Sequence, residues 1–295
     1  MPVSVVVVTY NPDLKILSSL IIDNISQFNK VVVVDNSSRN IELIKSIFSG
    51  FNNIDIISLD ENVGIAAAQN IGIKSLVNLP DDEIIVFFDQ DSSIDFGYLD
   101  RLEAEYSLLE GDYSGPIVLG PTFFHRYDHF EYPSIKFTRF GFRKKIYSGR
   151  GECAVEVDCL ISSGMSLRKR VLELAGLMDE LLFIDYVDTE WCLRAISKGI
   201  KIFVTPNLMM SHEIGSGHLK LKGFNIPVHP PSRRYYRIRN SLLILKYPYV
   251  PKLFCVREFF VSSIHQFLFF IKLRDIEYLK TYFQSVKDAM KKRRN

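Results

Sequence analysis

Residues 84–93, IIVFFDQDSS, run five apolar residues into Asp89, Gln90 and Asp91. An apolar run of this length that ends in turn-forming residues reads as a buried strand. In an extended segment, two carboxylates two residues apart point the same way. Two like charges on one side either oppose each other to no purpose or hold something positive.

This strand has companions upstream. Residues 3–10 (VSVVVVTY), 30–38 (KVVVVDNSS) and 53–60 (NIDIISLD) are short β-branched runs, each closing in polar residues, with room for helices between them. Continuous apolar strands alternating with helical connectors predict βαβ units and a sheet covered on both faces, hence an α/β fold. The first connector, from Asn11 to Phe28, carries Pro12 and Asp13 in its first turn, as helix starts require. Ligands of open α/β sheets bind beyond the carboxyl ends of the strands, where Thr9, Asp35 and Asp89 stand. Past residue 96 the alternation fades into an aromatic and basic stretch, 122–150, that reads as loops and short strands. A second ordered block follows from Val155 to Glu213, and Pro230 and Pro231 close it. The expected organisation is a catalytic unit over 1–232, with a nucleotide-binding half (1–95) and an acceptor-binding half (96–232), then a basic, aromatic helical region over 233–295.

Composition is that of an ordinary globular protein, 47% hydrophobic and 24% charged over 295 residues. Cys153, Cys159, Cys192 and Cys255 form no CxxC pair and read as reduced cytosolic thiols. The opening MPVSVVVVTYN has no basic leader and too short an apolar run for a signal peptide. The overall charge of +2 conceals an asymmetry: from Arg233 onward fifteen Lys and Arg face four acids, leaving residues 1–232 at −9. A tail so basic invites an anionic surface. Its most apolar piece, residues 259–271, contains Ser262, Ser263, His265 and Gln266 and is too short to span a bilayer.

Taken alone, Asp89 and Asp91 admit three readings. They cap a following helix or pair at the surface; Asp89 is the nucleophile of a haloacid-dehalogenase-type phosphatase; or the two hold Mg²⁺ or Mn²⁺ against a diphosphate. Position decides, because the phosphatase motif belongs on a first strand and this one follows the fourth. The earlier strand ends offer Thr9, Asn11, Asp35, Asn36 and Ser37, groups able to hydrogen-bond a pyrimidine and a ribose, with the Asp35 carboxylate accepting a pyrimidine N–H. Asn, Ser and Asp are also common turn formers, which any one of them taken singly would satisfy.

In order along the chain, VSVVVVTYNP, VVVVDNSS, NVGIAAAQNIGI, FFDQDSS, SSGMSLRKRVLELAGLMDELLFIDYVDTEWCLRA and SHEIGSG resemble the motifs of family 2 glycosyltransferases with the GT-A fold. DQDS together with YYRIRNSLLIL resembles the rhamnosyltransferase branch, which uses dTDP-L-rhamnose. The resemblance implies a nucleotide-sugar site at Thr9, Tyr10, Asn11, Asp35, Asn36, Asn62, Gly64, Asn70, Asp89, Gln90 and Arg239, with Arg237 beside Arg239 at the diphosphate. It implies a divalent metal, Mg²⁺ or Mn²⁺, on Asp91 and Asp89 with His212 nearby. Residues 183–191, FIDYVDTEW, match the family's acidic motif; its usual Glu-Asp pair is Val187-Asp188 here, so Asp188 takes the place of the catalytic base and Glu190 the second acidic position. Trp191 is read as core.

The partners this implies are a dTDP-sugar donor and a glycan or lipid-linked acceptor. The aromatic, basic tail over 251–295, with Phe254, Phe259, Phe260, Phe267, Phe269 and Phe270, resembles an interfacial segment on an anionic membrane and would equally serve to pair subunits. Nucleic acid is not expected, since the basic run carries no recognisable motif. The expected location is the cytoplasm, peripheral to the inner face of the plasma membrane.

Overall fold

The computed structural model describes residues 2–125, 130–212, 218–221 and 224–291, with the backbone alone between 212 and 227. The four apolar runs form β1 (Val3–Thr9), β2 (Lys30–Asp35), β3 (Ile54–Ser58) and β4 (Ile84–Asp89). Between them run α1 (Leu14–Ile22), α2 (Ile41–Phe48) and α3 (Gly64–Ser75). The first helix begins at Leu14, two residues later than its sequence predicts. Asp13 stands outside it as the cap, its carboxylate accepting from the N–H of Lys15 and Ile16 at 2.8 and 3.3 Å.

Next come α4 (Tyr98–Asp112), β5 (Ile117–His125), β6 (Glu131–Tyr132), β7 (Ser134–Phe137), β8 (Arg143–Ile146), β9 (Val155–Glu156) and β10 (Ser166–Arg168). The chain continues through α5 (Lys169–Ala175), α6 (Val187–Ser197), β11 (Lys201–His212), β12 (His218–Leu221) and β13 (Phe224–Pro227). It ends in α7 (Pro231–Leu243), α8 (Lys252–Leu273) and α9 (Glu277–Lys291). Within 122–150 the short strands expected from sequence are β6 and the β7–β8 hairpin.

The main sheet runs β3-β2-β1-β4-β10-β5-β11-β9, with β6 paired to β5. The first four strands are parallel, and β10 runs against both its neighbours. The continuous apolar runs follow from burial on both faces. Val6, Val8, Val32 and Val34 pack with Ala66 and Ala68 on one side, and Val5, Val7, Val31 and Val33 pack with Leu17 and Ile44 on the other. Each buried valine contributes on the order of 1.5–3 kcal/mol relative to exposure. Trp191 is fully buried and donates to Gly176 O at 2.7 Å, a core residue as expected.

The chain builds outward from β1 to β3 and then returns to lay β4 on the other flank of β1. That reversal opens a crevice at the strand ends, where Thr9 lies opposite Asp35 and Val8 opposite Asp89. The three C-terminal helices are joined by hydrogen bonds between buried and half-buried polar groups. Arg234 Nε donates to Gln266 Oε1 at 2.9 Å, Gln266 Nε2 to Tyr278 O at 2.6 Å, and Tyr235 Oη to Asp288 Oδ2 at 2.8 Å.

One expectation about this region needs correction. Residues 259–271 are the middle of a 22-residue helix that Pro251 opens, and by length and composition α8 is long and apolar enough to cross a membrane. Its aromatics divide between two environments: Phe254 and Phe269 are buried, whereas Phe260 and Phe267 are exposed.

Candidate active site

A cavity of about 690 Å³ opens at the carboxyl ends of β1 and β4. One wall is made of strand ends: Thr9, Tyr10, Asn36, Asn62, Gly64, Asp89, Gln90 and Asp91 line it. The opposite wall comes from the start of α6, from α7 and α8, and from the β7–β8 hairpin, through Asp185, Asp188, Arg233, Arg237, Glu258 and Arg143 among others.

In the strand wall, Thr9 Oγ1 donates to Asp35 Oδ1 at 2.9 Å, and Ser38 N donates to Asp35 Oδ2 at 2.8 Å. Asp35 is fully buried with both oxygens taken and does not line the cavity. It therefore shapes the wall from beneath, where a pyrimidine contact had been expected. Asn11, also outside the lining, donates its N–H to Ser38 Oγ and accepts from Arg39 N. Asn36 does face the cavity and is fixed to its neighbour: its Nδ2 donates to Asn62 Oδ1 at 3.0 Å and its Oδ1 accepts from Val63 N at 2.9 Å. Gln90 Oε1 accepts from Tyr10 N at 2.6 Å, tying the end of β4 to the end of β1.

Gly64 has φ +86°, and a Cβ there would sit 2.6 Å from the Phe183 ring. The close approach that demands glycine is thus to the opposite wall, whose Phe183 carbonyl accepts from Ile65 N at 2.8 Å. Asn70 is buried and turned from the cavity. Its amide donates to Met178 O at 2.9 Å and Glu180 Oε1 at 2.8 Å and accepts from Met178 N. The nucleotide role expected for it gives way to pinning that loop.

Asp89 and Asp91 are joined by a turn, in which Ser92 N donates to Asp89 O and Asp89 N to Ser92 Oγ, both at 3.0 Å. The extended geometry expected between them is absent, yet both carboxylates reach the cavity. Among the described residues neither accepts a hydrogen bond. Burial, then the charges of Asp91 and Asp188, push Asp89 up to about 7, against the opposing pull of Arg233. Carboxylate oxygens left without a hydrogen-bond partner suit a hard divalent cation. Among the described residues no group of three His, Cys, Asp or Glu converges on one point. The backbone of His212 ends β11 beside His125, and its side chain lies outside the described residues.

Asp188 stands in the first turn of α6, where Thr189 N donates to its Oδ1 at 2.7 Å. Burial pushes its carboxyl up to about 6, with Asp185 adding to the shift. Glu190, two residues on, points away. It is buried in an ion pair with Arg194 at 2.8 Å and accepts from Tyr249 Oη at 2.5 Å, so it is not a second acid of this site.

The segment leading into α6 is strained. Phe183, Asp185 and Tyr186 all have φ near +64°, a region that costs a non-glycine residue about 1–3 kcal/mol each. Helix α7 holds it there. Asn240 Nδ2 donates to the carbonyls of Leu182, Ile184 and Asp185 at 2.7, 2.8 and 3.1 Å, and Arg239 Nη2 to Leu181 O at 2.6 Å. The Phe183 ring stacks on Tyr236 with centroids 4.4 Å apart and planes 8° apart.

Arg239, expected at the diphosphate, is thus buried as a clamp on this segment and does not line the cavity. Arg233 and Arg237 face the cavity instead, 3.5 and 3.8 Å from the Asp185 carboxylate. Arg233, Arg143, Glu258 and Asn240 were missed from sequence. The signal for Arg233 was its four-residue spacing from Arg237, which puts both on one helix face.

Residues 4–173 match the family described as Glycosyl transferase family 2. Over 287 residues the chain is 40% identical to the dTDP-rhamnosyl transferase RfbF of Shigella flexneri, covering 97% of this chain and 94% of that protein. Among solved structures it is similar to GalNAc-T7 crystallised with UDP, GalNAc and Mn²⁺, with a TM-score of 0.60 and 14% identity over 83% of this chain and 48% of that one. It is also similar to S. aureus TarS, with a TM-score of 0.56 and 17% identity over 99% of this chain and 49% of that one. The chain spans about half the length of each of these two structures, and the likeness to them is one of fold, which bears out the expected GT-A α/β architecture. Nothing in these matches supports the phosphatase reading of Asp89.

Proposed function

The chain belongs to glycosyl transferase family 2, and from that premise we propose that it transfers L-rhamnose, with inversion, from dTDP-β-L-rhamnose to a hydroxyl of a bacterial surface glycan or its lipid-linked precursor. The observation that carries this reading is that Asp89, Asp91 and Asp188, from distant parts of the sequence, line one cavity between a polar strand wall and two arginines. The 40% identity to a dTDP-rhamnosyl transferase supports the choice of donor.

The strand wall, with Thr9, Tyr10, Asn36 and Asn62, takes the nucleoside. Arg233 and Arg237 face the diphosphate, where guanidinium groups suit phosphate oxygens. Asp188 accepts the proton of the acceptor hydroxyl as its oxygen attacks the anomeric carbon from the side opposite the diphosphate. The bond from that carbon to the diphosphate oxygen breaks, its electron pair leaves with dTDP, and a β-linked donor gives an α-linked product. A carboxyl held near 6 is ionised at neutral pH and is still a stronger base than an ordinary aspartate. Asp89 and Asp91 would hold Mg²⁺ or Mn²⁺, whose charge would offset that building on the departing diphosphate.

Calorimetric titration with dTDP, UDP and GDP, with and without Mg²⁺, tests the reading. Preference for dTDP that requires the metal and is lost in Asp91→Ala is the expected result. Preference for UDP would replace the donor, and no binding of any nucleotide would remove the transferase reading.

A further inference from the structure

Helix α8 buries several polar side chains and exposes a row of apolar ones. Its polar side chains Glu258, Ser262, Ser263 and Gln266 are buried, at 1 to 8% exposure. Its apolar side chains Leu253, Val256, Phe260, Ile264, Phe267 and Ile271 stand outward, between 39 and 63% exposed. Their spacing of three and four residues makes one stripe along a helix of about 33 Å. An apolar patch of this extent marks a surface that meets something other than water.

The stripe does not stand alone. At the turn of the β7–β8 hairpin, Phe140 and Phe142 are 77 and 60% exposed. The turn abuts the start of α8: a side chain at Gly141 would meet Pro251 and Leu253 at 3.0 and 3.5 Å. Behind it, Phe137 packs edge-on against Phe254 at 5.1 Å, and Arg143 pairs with Glu258 at 3.0 Å. Residues 134–147 and 252–274 together carry nine Lys and Arg against a single acid, the buried Glu258. Exposed Arg139, Lys144, Lys145, Lys252, Arg257 and Lys272 flank the apolar residues.

We propose that the outer face of α8 and the tip of the β7–β8 hairpin form one docking face for an anionic lipid bilayer. Apolar side chains enter the headgroup boundary and the flanking cations meet the lipid charge, as in interfacial helices. The helix lies along the surface and does not cross it, because crossing would strip Gln266 and the Ser262 carbonyl from buried Arg234. The other side of the same two elements lines the cavity, through Phe137, Arg143, Phe254 and Glu258. Docking would therefore hold that wall of the cavity beside the headgroups. That this serves a lipid-linked acceptor rests on the transferase reading; the docking itself does not.

Flotation of the purified full chain with vesicles separates the outcomes. The chain is expected to float with vesicles containing phosphatidylglycerol, to stay down with phosphatidylcholine alone, and to dissociate as salt rises. Lys144→Glu/Lys145→Glu and Phe260→Ser/Ile264→Ser should each lower the bound fraction about tenfold, with melting curves unchanged because all four side chains are exposed. A chain that stays down with both vesicles overturns the proposal. So does a stable dimer in light scattering that Phe260→Ser/Ile264→Ser dissociates, since the stripe would then be covered by a second copy. Neither result touches dTDP binding, which is read separately by calorimetry.

Discussion

The two walls of the cavity are built by different means. The strand wall is set by the sheet: β1, β2 and β4 end together in register, and the polar residues that follow fall at one edge. The helix wall is held against local preference, with three left-handed residues strapped by an amide on α7 more than fifty residues further along the chain. The first kind of wall is rigid because its neighbours are rigid. The second is as stable as the few hydrogen bonds that hold it.

The largest effect that would sharpen this contrast is on the proposed base. Asp188→Asn should lower kcat by roughly 10²–10⁴ while leaving dTDP affinity within about threefold, measured by dTDP release and calorimetry. Activity retained within threefold would remove Asp188 from the chemistry.

Next comes Asn240→Ala, which frees three carbonyls of the strained segment at once. It should cost about 1–3 kcal/mol in chemical denaturation and depress kcat. Asn70→Ala should cost a similar amount in denaturation and leave nucleotide affinity unchanged, which sets a buried clamp apart from a ligand contact. Unchanged kcat in the Asn240 variant would show that the strap does not position the base.

A smaller effect comes from pH. The proposed base works as the carboxylate, and burial pushes the Asp188 carboxyl up to about 6, so kcat/KM should fall tenfold per unit below that and level off above it. A profile flat down to about 4.5 would mean that another group carries the proton. The smallest effect is expected from Tyr236→Leu, which removes the ring stacked on Phe183. The loss is about 0.5–1.5 kcal/mol of stability, read from the shift in the denaturation midpoint.

What could be read from the sequence follows the same division. Strand positions, strand ends and the Asp89–Asp91 pair were legible because strand periodicity and turn residues are local signals. Asp35 stands at a strand's end, and Asn70, inside α3, entered with the family resemblance; in neither case does the sequence say whether a polar residue faces a ligand or a buried partner. Arg239 has a different cause: two residues from Arg237 on a helix, it lies on another face, and that spacing was already in the sequence. Glu190 beside Asp188 obeys the same rule. The strap at Asn240 depends on contacts between distant segments, which no periodicity encodes.

The strap also bears on when the protein becomes active as it is made. A chain leaving the ribosome presents β1 to β4, and with them the strand wall, long before Arg233, Arg237 and Asn240 have been synthesised. Domains generally fold in the order of synthesis, so the nascent chain holds half a site and no means of aiming its base. On the proposed reading, catalysis waits until α7 has been made and has closed over the strand wall.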